Sequence, residues 1–424
     1  MLSKLIALLV IVLGVVAIAQ LVRVYELSSK LRNRGEHEIT DRDNNLNGRM
    51  MFMFVIALYA FFLWLVLRYG WTGRGEAAST IGRETDWLLN VNFVIIIAVF
   101  LLTNTLLFYF SYRYVRKEGV KAFYYPHNNK LEMLWTVVPA CVLAVIIILG
   151  LKKWNDATSA ASDEAIRVEL FSKQFDWTAR YSGYDNILGR FDYKLTTDKN
   201  ELGLMTTATI DSAIFAMEHG VTGIDSLEAK LNNRKIMLVP EDREKMETDL
   251  SRKQRLIRLL YQMREHHDSK LDRAAMDDII QKDTLYLCAN KEYEFNFRAK
   301  DVIHSAYFPH FRAQINTVPG MTTRFKFTPD ITTKDMRVKK NDAKFNYVLM
   351  CNKICGGAHY KMKMIVVVLS EKEYNKWMKG AQAKTFKTIF APAPAAPAAP
   401  AAPAAGADTL AVAVDTLAMP APVK

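Results

Sequence analysis

A chain of 424 residues that is 50% apolar and 24% charged, with 56 Lys and Arg against 44 Asp and Glu and a formal net charge of +12, has averages close to those of a soluble protein of two or three domains. The averages hide a division, because apolar residues crowd the first 152 positions and the remainder is polar and mixed. That distribution excludes a purely soluble enzyme, a disordered chain and a pure membrane channel, and Cys141, Cys288, Cys351 and Cys355 are too few for a disulfide-rich secreted module.

Four apolar runs, 2–21, 50–67, 93–110 and 133–151, each approach the ~20 residues that a spanning helix needs, and predict four transmembrane helices. The segment 23–49 carries Arg23, Lys30, Arg32, Arg34, Arg42 and Arg49, and 113–131 carries Arg113, Arg116, Lys117, Lys121 and Lys130, whereas 70–89 has only Arg74 and Arg83. The positive-inside rule puts the two basic segments in the cytoplasm and both termini, with the large polar region, outside. The basic excess therefore reads as topology and lipid contact, not nucleic-acid binding. Lys4, an apolar stretch and Ala17-Ile18-Ala19 also match a cleavable signal peptide. Cleavage would leave three spans and deliver the polar region inside, so the first span is expected to be retained, with Lys4 on the outer side.

In the third run Thr103, Asn104 and Thr105 call for a protein-facing surface or back-bonding to their own helix. The fourth contains Pro139, which frees a carbonyl, and begins near Glu132, readable either as part of the helix N-cap region or as the mouth of a proton path.

Beyond Lys152 the period changes to two. Val168, Leu170 and Phe175-Asp-Trp177 mark one candidate strand; Tyr293, Phe295 and Phe297, then Phe325 and Phe327, then Phe345, Tyr347 and Leu349, then Met364, Val366 and Val368 mark others. Several short alternating strands predict a β-sandwich or barrel. Residues 225–283 break the pattern and read as a helical insert: Pro240-Glu241-Asp242 is a helix start, and Met246, Leu250, Ile257, Leu260 and Tyr261 follow on one face. His266 and His267 in that insert are read as solvent-exposed residues of a charged helix, with metal binding as the alternative. The Ala/Pro-rich tail, 384–424, lacks the apolar surface to fold and is expected to be an extended tether or disordered.

The chemistry is concentrated in Cys351-Asn-Lys-Ile-Cys355-Gly-Gly-Ala-His359-Tyr-Lys-Met362. Two thiolates, an imidazole and a thioether form a soft set that favours copper over magnesium, calcium or manganese. Zinc accepts Cys and His but takes Met poorly. A single blue-copper centre can be assembled from Cys355, His359, Met362 and the distant His304, leaving one thiolate idle. A disulfide is a third reading, and covalent haem lacks its Cys-x-x-Cys-His. Two bridging thiolates with terminal imidazoles and weak axial ligands make a binuclear copper centre.

That run resembles the dinuclear copper A loop of subunit II of haem–copper cytochrome c oxidases. Asp301-Val-Ile-His304-Ser is similar to the family's upstream histidine motif, Val318-Pro-Gly320 to its following turn, and Asn128-Asn-Lys-Leu-Glu132-Met-Leu-Trp135-Thr-Val-Val-Pro139-Ala to the start of its second membrane helix. The resemblance implies a bacterial subunit with two extra spans (1–90), a membrane hairpin (91–152), a cupredoxin-like copper domain (153–383) holding the insert, and the tail. It implies that Cys351 and Cys355 bridge two copper ions, with His304 and Met362 completing one and His359 and the Lys353 backbone carbonyl the other. It further implies electron transfer from a c-type cytochrome to a catalytic subunit I that carries haem and a further copper and reduces dioxygen to water with proton translocation. The other partners implied are further oxidase subunits, a larger respiratory assembly and the lipid bilayer. The implied location is the bacterial inner membrane with the copper domain on the periplasmic side.

Three positions depart from the family. Phe175 stands where a tryptophan commonly receives the electron, leaving Phe175 and Trp177 as candidate electron-delivery residues. Lys353 replaces a glutamate that reaches an interface magnesium ion; with three donors and no lone pair it cannot ligate that ion. Ala306 replaces an aromatic. Glu132 matches a glutamate near a proton-path entrance. A quinol oxidase subunit would lack the cysteines, nitrous oxide reductase would add a large propeller, and a copper chaperone, storage or assembly protein is the alternative outside electron transfer.

Overall fold

The computed structural model describes residues 2–31, 39–70, 74–233 and 237–390. The chain divides into one unit of Met1–Leu188 with Asp278–Gln382 and another of Gly189–Asp277 with Ala383–Lys424.

In the first unit four helices come first: α1 (Leu2–Leu31), α2 (Asp41–Tyr69), α3 (Thr80–Arg113) and α4 (Asn129–Thr158). Among the described residues, α2, α3 and α4 are the three long and apolar enough to cross a membrane. The first apolar run forms α1, a single helix of 30 residues. Thr40 starts α2 with a capping box, accepting the Asp43 N–H while the Asp43 carboxylate accepts its own. The polar triplet of α3 divides its hydrogen bonds between both predicted partners. Thr103 and Asn104 donate back to the Val99 and Phe100 carbonyls, each at 2.8 Å, whereas Thr105 Oγ1 lies 2.9 Å from Tyr59 Oη of α2, which also donates to the Leu101 carbonyl.

The N-terminus of α3 is tied to the strand region. Ser79 is fully buried, accepts the Gly82 N–H and donates to the Phe311 carbonyl at 2.8 Å. The Ala78 N–H donates to the His310 carbonyl, and Arg312 bridges Asp86 and the Arg74 and Gly75 carbonyls. Gly82 permits this approach: a Cβ there would stand 2.7 Å from Ser79 Oγ and 2.9 Å from the Phe311 oxygen.

Among the described residues ten strands follow: β1 (Ile166–Lys173), β2 (Asp176–Tyr181), β3 (Ile279–Lys282), β4 (Thr284–Cys288), β5 (Tyr293–Ala299), β6 (His304–Phe308), β7 (Ala313–Thr317), β8 (Thr323–Phe327), β9 (Tyr347–Cys351) and β10 (Lys363–Leu369). They make two five-stranded sheets, ordered β3-β2-β1-β5-β8 and β4-β10-β9-β6-β7. Period-two side chains from both, among them Leu170, Phe295 and Phe327 from one and Leu285, Leu349 and Val366 from the other, share a single buried core. The predicted single strand over Val168 to Trp177 is instead a hairpin, β1 and β2 paired antiparallel with Gln174 and Phe175 at its turn. On the opposite face of β1, Glu169 is buried and accepts from Arg180 and Arg298, and Arg180 also binds Asp278 at 2.6 Å.

The second unit is helical: α5 (Thr207–His219), α6 (Ile224–Asn232) and α7 (Pro240–His266). Leu195, Ile210, Ile214, Ile257 and Leu260 form its own small core. Pro240 occupies the first turn of α7 as predicted, with Glu241 and Asp242 favouring the positive helix end. Tyr261 departs from the buried face: it is exposed and donates to Glu218 at 2.6 Å. The helical segment extends further toward the N-terminus than 225–283 and ends before β3, whose Ile279 lies in the sheet core. Of the tail, Phe386–Phe390 is a short helix with Phe386 buried; residues 391–424 lie outside the described residues.

Candidate metal centre

Strand pairing brings the distant histidine to the loop. β6 runs antiparallel to β9 with Ala306 opposite Cys351, so His304 at the start of β6 faces the chain that leaves β9. The loop closes where the Cys351 N–H meets the Met362 carbonyl at 3.0 Å, after a tight turn at His359–Lys361. Inside it Gly356 adopts φ of +136°, and a Cβ there would stand 2.9 Å from the Phe175 ring. The β1–β2 turn thus packs onto the loop, and Gln174 Nε2 donates to the Cys355 carbonyl at 2.5 Å.

The six nominated donors converge. The two Sγ atoms are 3.9 Å apart and both cysteines are free thiols. Cys351 Sγ lies 4.0 Å from His304 Nδ1 and 3.1 Å from the Lys353 carbonyl oxygen. Cys355 Sγ lies 3.5 Å from His359 Nδ1 and 3.8 Å from Met362 Sδ. His304, Cys351, Cys355 and Met362 are buried, whereas His359 is half-buried and the Lys353 side chain is exposed. Burial, then the neighbouring Cys351 thiol, pushes Cys355 up to about 11. Two sulfurs this close, with imidazole and thioether donors around them in a buried pocket, fit soft metal ions, and the thioether sets the group apart from ordinary zinc sites.

A further carboxylate orients the histidine. Asp301 Oδ1 accepts from His304 Nε2 at 2.9 Å, leaving Nδ1 toward the thiols, and Asp301 also accepts the Gln174 and Val302 backbone N–H groups. Burial raises the Asp301 carboxyl, but hydrogen bonds from His304, Gln174 and Val302 outweigh it and hold it below its ordinary value. Asp301 opens the upstream histidine motif and Gln174 directly precedes Phe175-Asp-Trp177, yet residue type alone gave neither a role. Trp177 is fully buried with its ring edge-on to His304, so of the two aromatic candidates only half-buried Phe175 reaches the surface.

The other nominated positions lie elsewhere. Glu132, in the first turn of α4, accepts the Asn128 backbone N–H at 3.3 Å, while the Asn128 side chain accepts from Leu131. His267, expected to be exposed, has a buried ring hydrogen-bonded to Asp272 at 2.6 Å, because the chain turns at Asp268 and folds the carboxylate back over it. His266 is exposed and contacts the Gln262 carbonyl through Nδ1.

Residues 69–152 match the family model for the cytochrome c oxidase subunit II transmembrane domain. The chain is 26% identical over 339 residues to the alternative cytochrome c oxidase subunit 2 of Bradyrhizobium diazoefficiens, covering 79% of this chain and 92% of that protein. It is 23% identical over 330 residues to cytochrome c oxidase subunit 2 of Cereibacter sphaeroides, covering 77% and 86%. Among solved structures, the periplasmic domain of subunit II of cytochrome oxidase of Bradyrhizobium japonicum aligns with 14% identity and a TM-score of 0.26, covering 53% of this chain and 99% of that one. With its membrane hairpin matched by that family model and most of its length aligned to curated subunits, the chain is similar to subunit II of cytochrome c oxidases.

Proposed function

We propose that this subunit accepts electrons from a c-type cytochrome at a dinuclear copper centre and passes them to a haem-bearing catalytic subunit that reduces dioxygen to water, coupled to proton translocation. The observation that carries the reading is the convergence of two thiols 3.9 Å apart with the other four donors of the nominated set. Cys351 and Cys355 would bridge both ions, with His304, Met362, His359 and the Lys353 carbonyl as terminal ligands. Bound copper supplies a one-electron store that changes shape little between redox states.

The chain's own residues supply the rigidity. Asp301 fixes the His304 ring, Gln174 holds the Cys355 carbonyl, and the surrounding core keeps the sulfurs from water. In this reading α1 is a retained span, giving four, and the copper domain lies on the periplasmic side of a bacterial inner membrane. Glu132 is proposed at the mouth of a proton path, beside its capping role.

In the assembled oxidase, Cys351→Ser should abolish rapid haem reduction by reduced cytochrome c, while a small reductant that reaches the haem directly still reduces it. Unchanged haem reduction by the cytochrome would refute the relay.

A further inference from the structure

His304 and Cys351 lie at one end of a strand pair whose other end is fastened to a membrane helix. β6 runs from His304 to Phe308 and passes directly into the turn Pro309–Phe311 and Arg312, and β9 runs antiparallel to it from Tyr347 to Cys351. At the fastened end the Tyr347 ring lies 4.8 Å from that of Phe311. Five strand residues at about 3.3 Å each put the candidate ligands roughly 16 Å from that turn.

Arg312 is the fastening. Its Nε and Nη2 reach the two carboxylate oxygens of Asp86 in α3 at 3.0 and 3.1 Å, Nη2 also donates to the Arg74 and Gly75 carbonyls, and Nη1 donates to the Pro309 carbonyl at 2.6 Å. The two side chains are 12% and 18% exposed, so this bidentate pair is screened less than one on an open surface. Arg312 holds the position in the left-handed region, with φ of +55°, where glycine would be less strained. What its guanidinium binds offsets that strain. Ala78 adds backbone bonds on both sides, donating to the His310 carbonyl at 2.8 Å and accepting the Asp330 N–H at 3.1 Å. The covalent link from α4 to β1, residues 159–165, has by contrast no helix or strand of its own.

We propose that Arg312, paired with Asp86, is a positioning residue for electron transfer: it locks the ligand-bearing strands at a fixed distance from α3, and so from an acceptor held in the same membrane. This rests on the electron-accepting reading above. Electron tunnelling falls steeply with distance, and a displacement of about 1 Å caused by a remote change can cost on the order of a hundredfold where a step depends on geometry. Without the pair the strand region would swing on the 159–165 link, while the copper ligands, one strand length away, keep their own contacts.

The test uses the assembled oxidase. Arg312→Gln and the milder Asp86→Asn are compared with Arg312→Lys, which keeps the charge but not the planar fork. Copper and haem reduction by reduced cytochrome c are followed separately by rapid mixing, and pulsed spin resonance reads the copper–haem separation. The first two variants should keep the copper spectrum, its potential and its rate of reduction, slow the copper-to-haem step by roughly tenfold or more, and broaden the distance distribution. Arg312→Lys should recover part of the rate. An unchanged step with an unchanged distance distribution would overturn the proposal, and so would a slowed step with an altered copper spectrum, which would put the damage at the metal. Asp86→Asn decides alone should Arg312→Gln fail to assemble. If copper in the unaltered oxidase takes no electron from any reductant, the electron-accepting reading fails and the positioning role with it.

Discussion

Cys351 and Cys355 share one pocket with Met362, and the three sulfurs should respond differently to substitution. Cys351→Ser should leave at most one copper per chain, because the hydroxyl that replaces one of the two thiolates is protonated and a poor ligand for a soft metal ion. Met362→Leu keeps both thiols and most of the buried volume, so the metal should remain while the reduction potential shifts; metal analysis with redox titration reads both. Lys353→Glu should leave copper content unchanged, since only the carbonyl, 3.1 Å from Cys351 Sγ, faces the thiols and the side chain is exposed. Loss of copper in that variant would mean the side chain matters to the loop. Glu169 is buried between Arg180 and Arg298, which lower its carboxyl against the opposing effect of burial. Removing its charge leaves two guanidinium groups short of a partner, so Glu169→Gln should cost about 3–5 kcal/mol in denaturant unfolding of the solubilised chain. A loss below about 0.5 kcal/mol, the size of an ordinary surface substitution, would show that Asp278 alone compensates both.

At the scale of elements, what was legible in the sequence depended on whether the signal was contiguous. The candidate copper loop was readable because five of the six candidate donors lie within twelve consecutive residues, β5 and β8 because aromatic side chains alternate, and β10 because it is a continuous apolar run. β3 was hidden: its four residues, Ile279-Ile280-Gln281-Lys282, follow a charged helical run and show no alternation long enough to separate from it. The β1–β2 turn was hidden because Phe175 continues an apolar series across it. His267 was misread because its partner Asp272 comes into place only through the turn after α7. The short turn Pro309–Phe311 that ties α3 to the strands carries a pH consequence. Burial, with Lys340 and Arg312 nearby, brings His310 down to about 4, its ring lying against Phe345 and Tyr347. The folded state therefore binds this proton less readily than the unfolded chain. Its stabilising share is complete above the ordinary 6.5 and is lost as pH falls from there toward about 4. His310→Phe should flatten the stability profile across that window; an unchanged slope would remove His310 as its source.

For the molecule as a whole, the membrane and metal parts make separable predictions. If α1 is a retained span, amino-terminal sequencing of the mature chain should begin at or next to Met1, and a start at Gln20 would refute four spans. Among the described residues, the helical segment supplies none of the candidate donors, so replacing residues 190–276 with a short linker, which spares β3, should preserve copper loading. Disappearance of the copper spectrum from a folded variant would make the helical segment part of the site. Whether Cys351 and Cys355 together hold two ions is decided by the copper-to-protein ratio of the purified chain combined with its spin-resonance spectrum. Two coppers per chain and one unpaired electron shared by two copper nuclei are expected. One copper per chain with the hyperfine pattern of a single nucleus would contradict the two-ion centre.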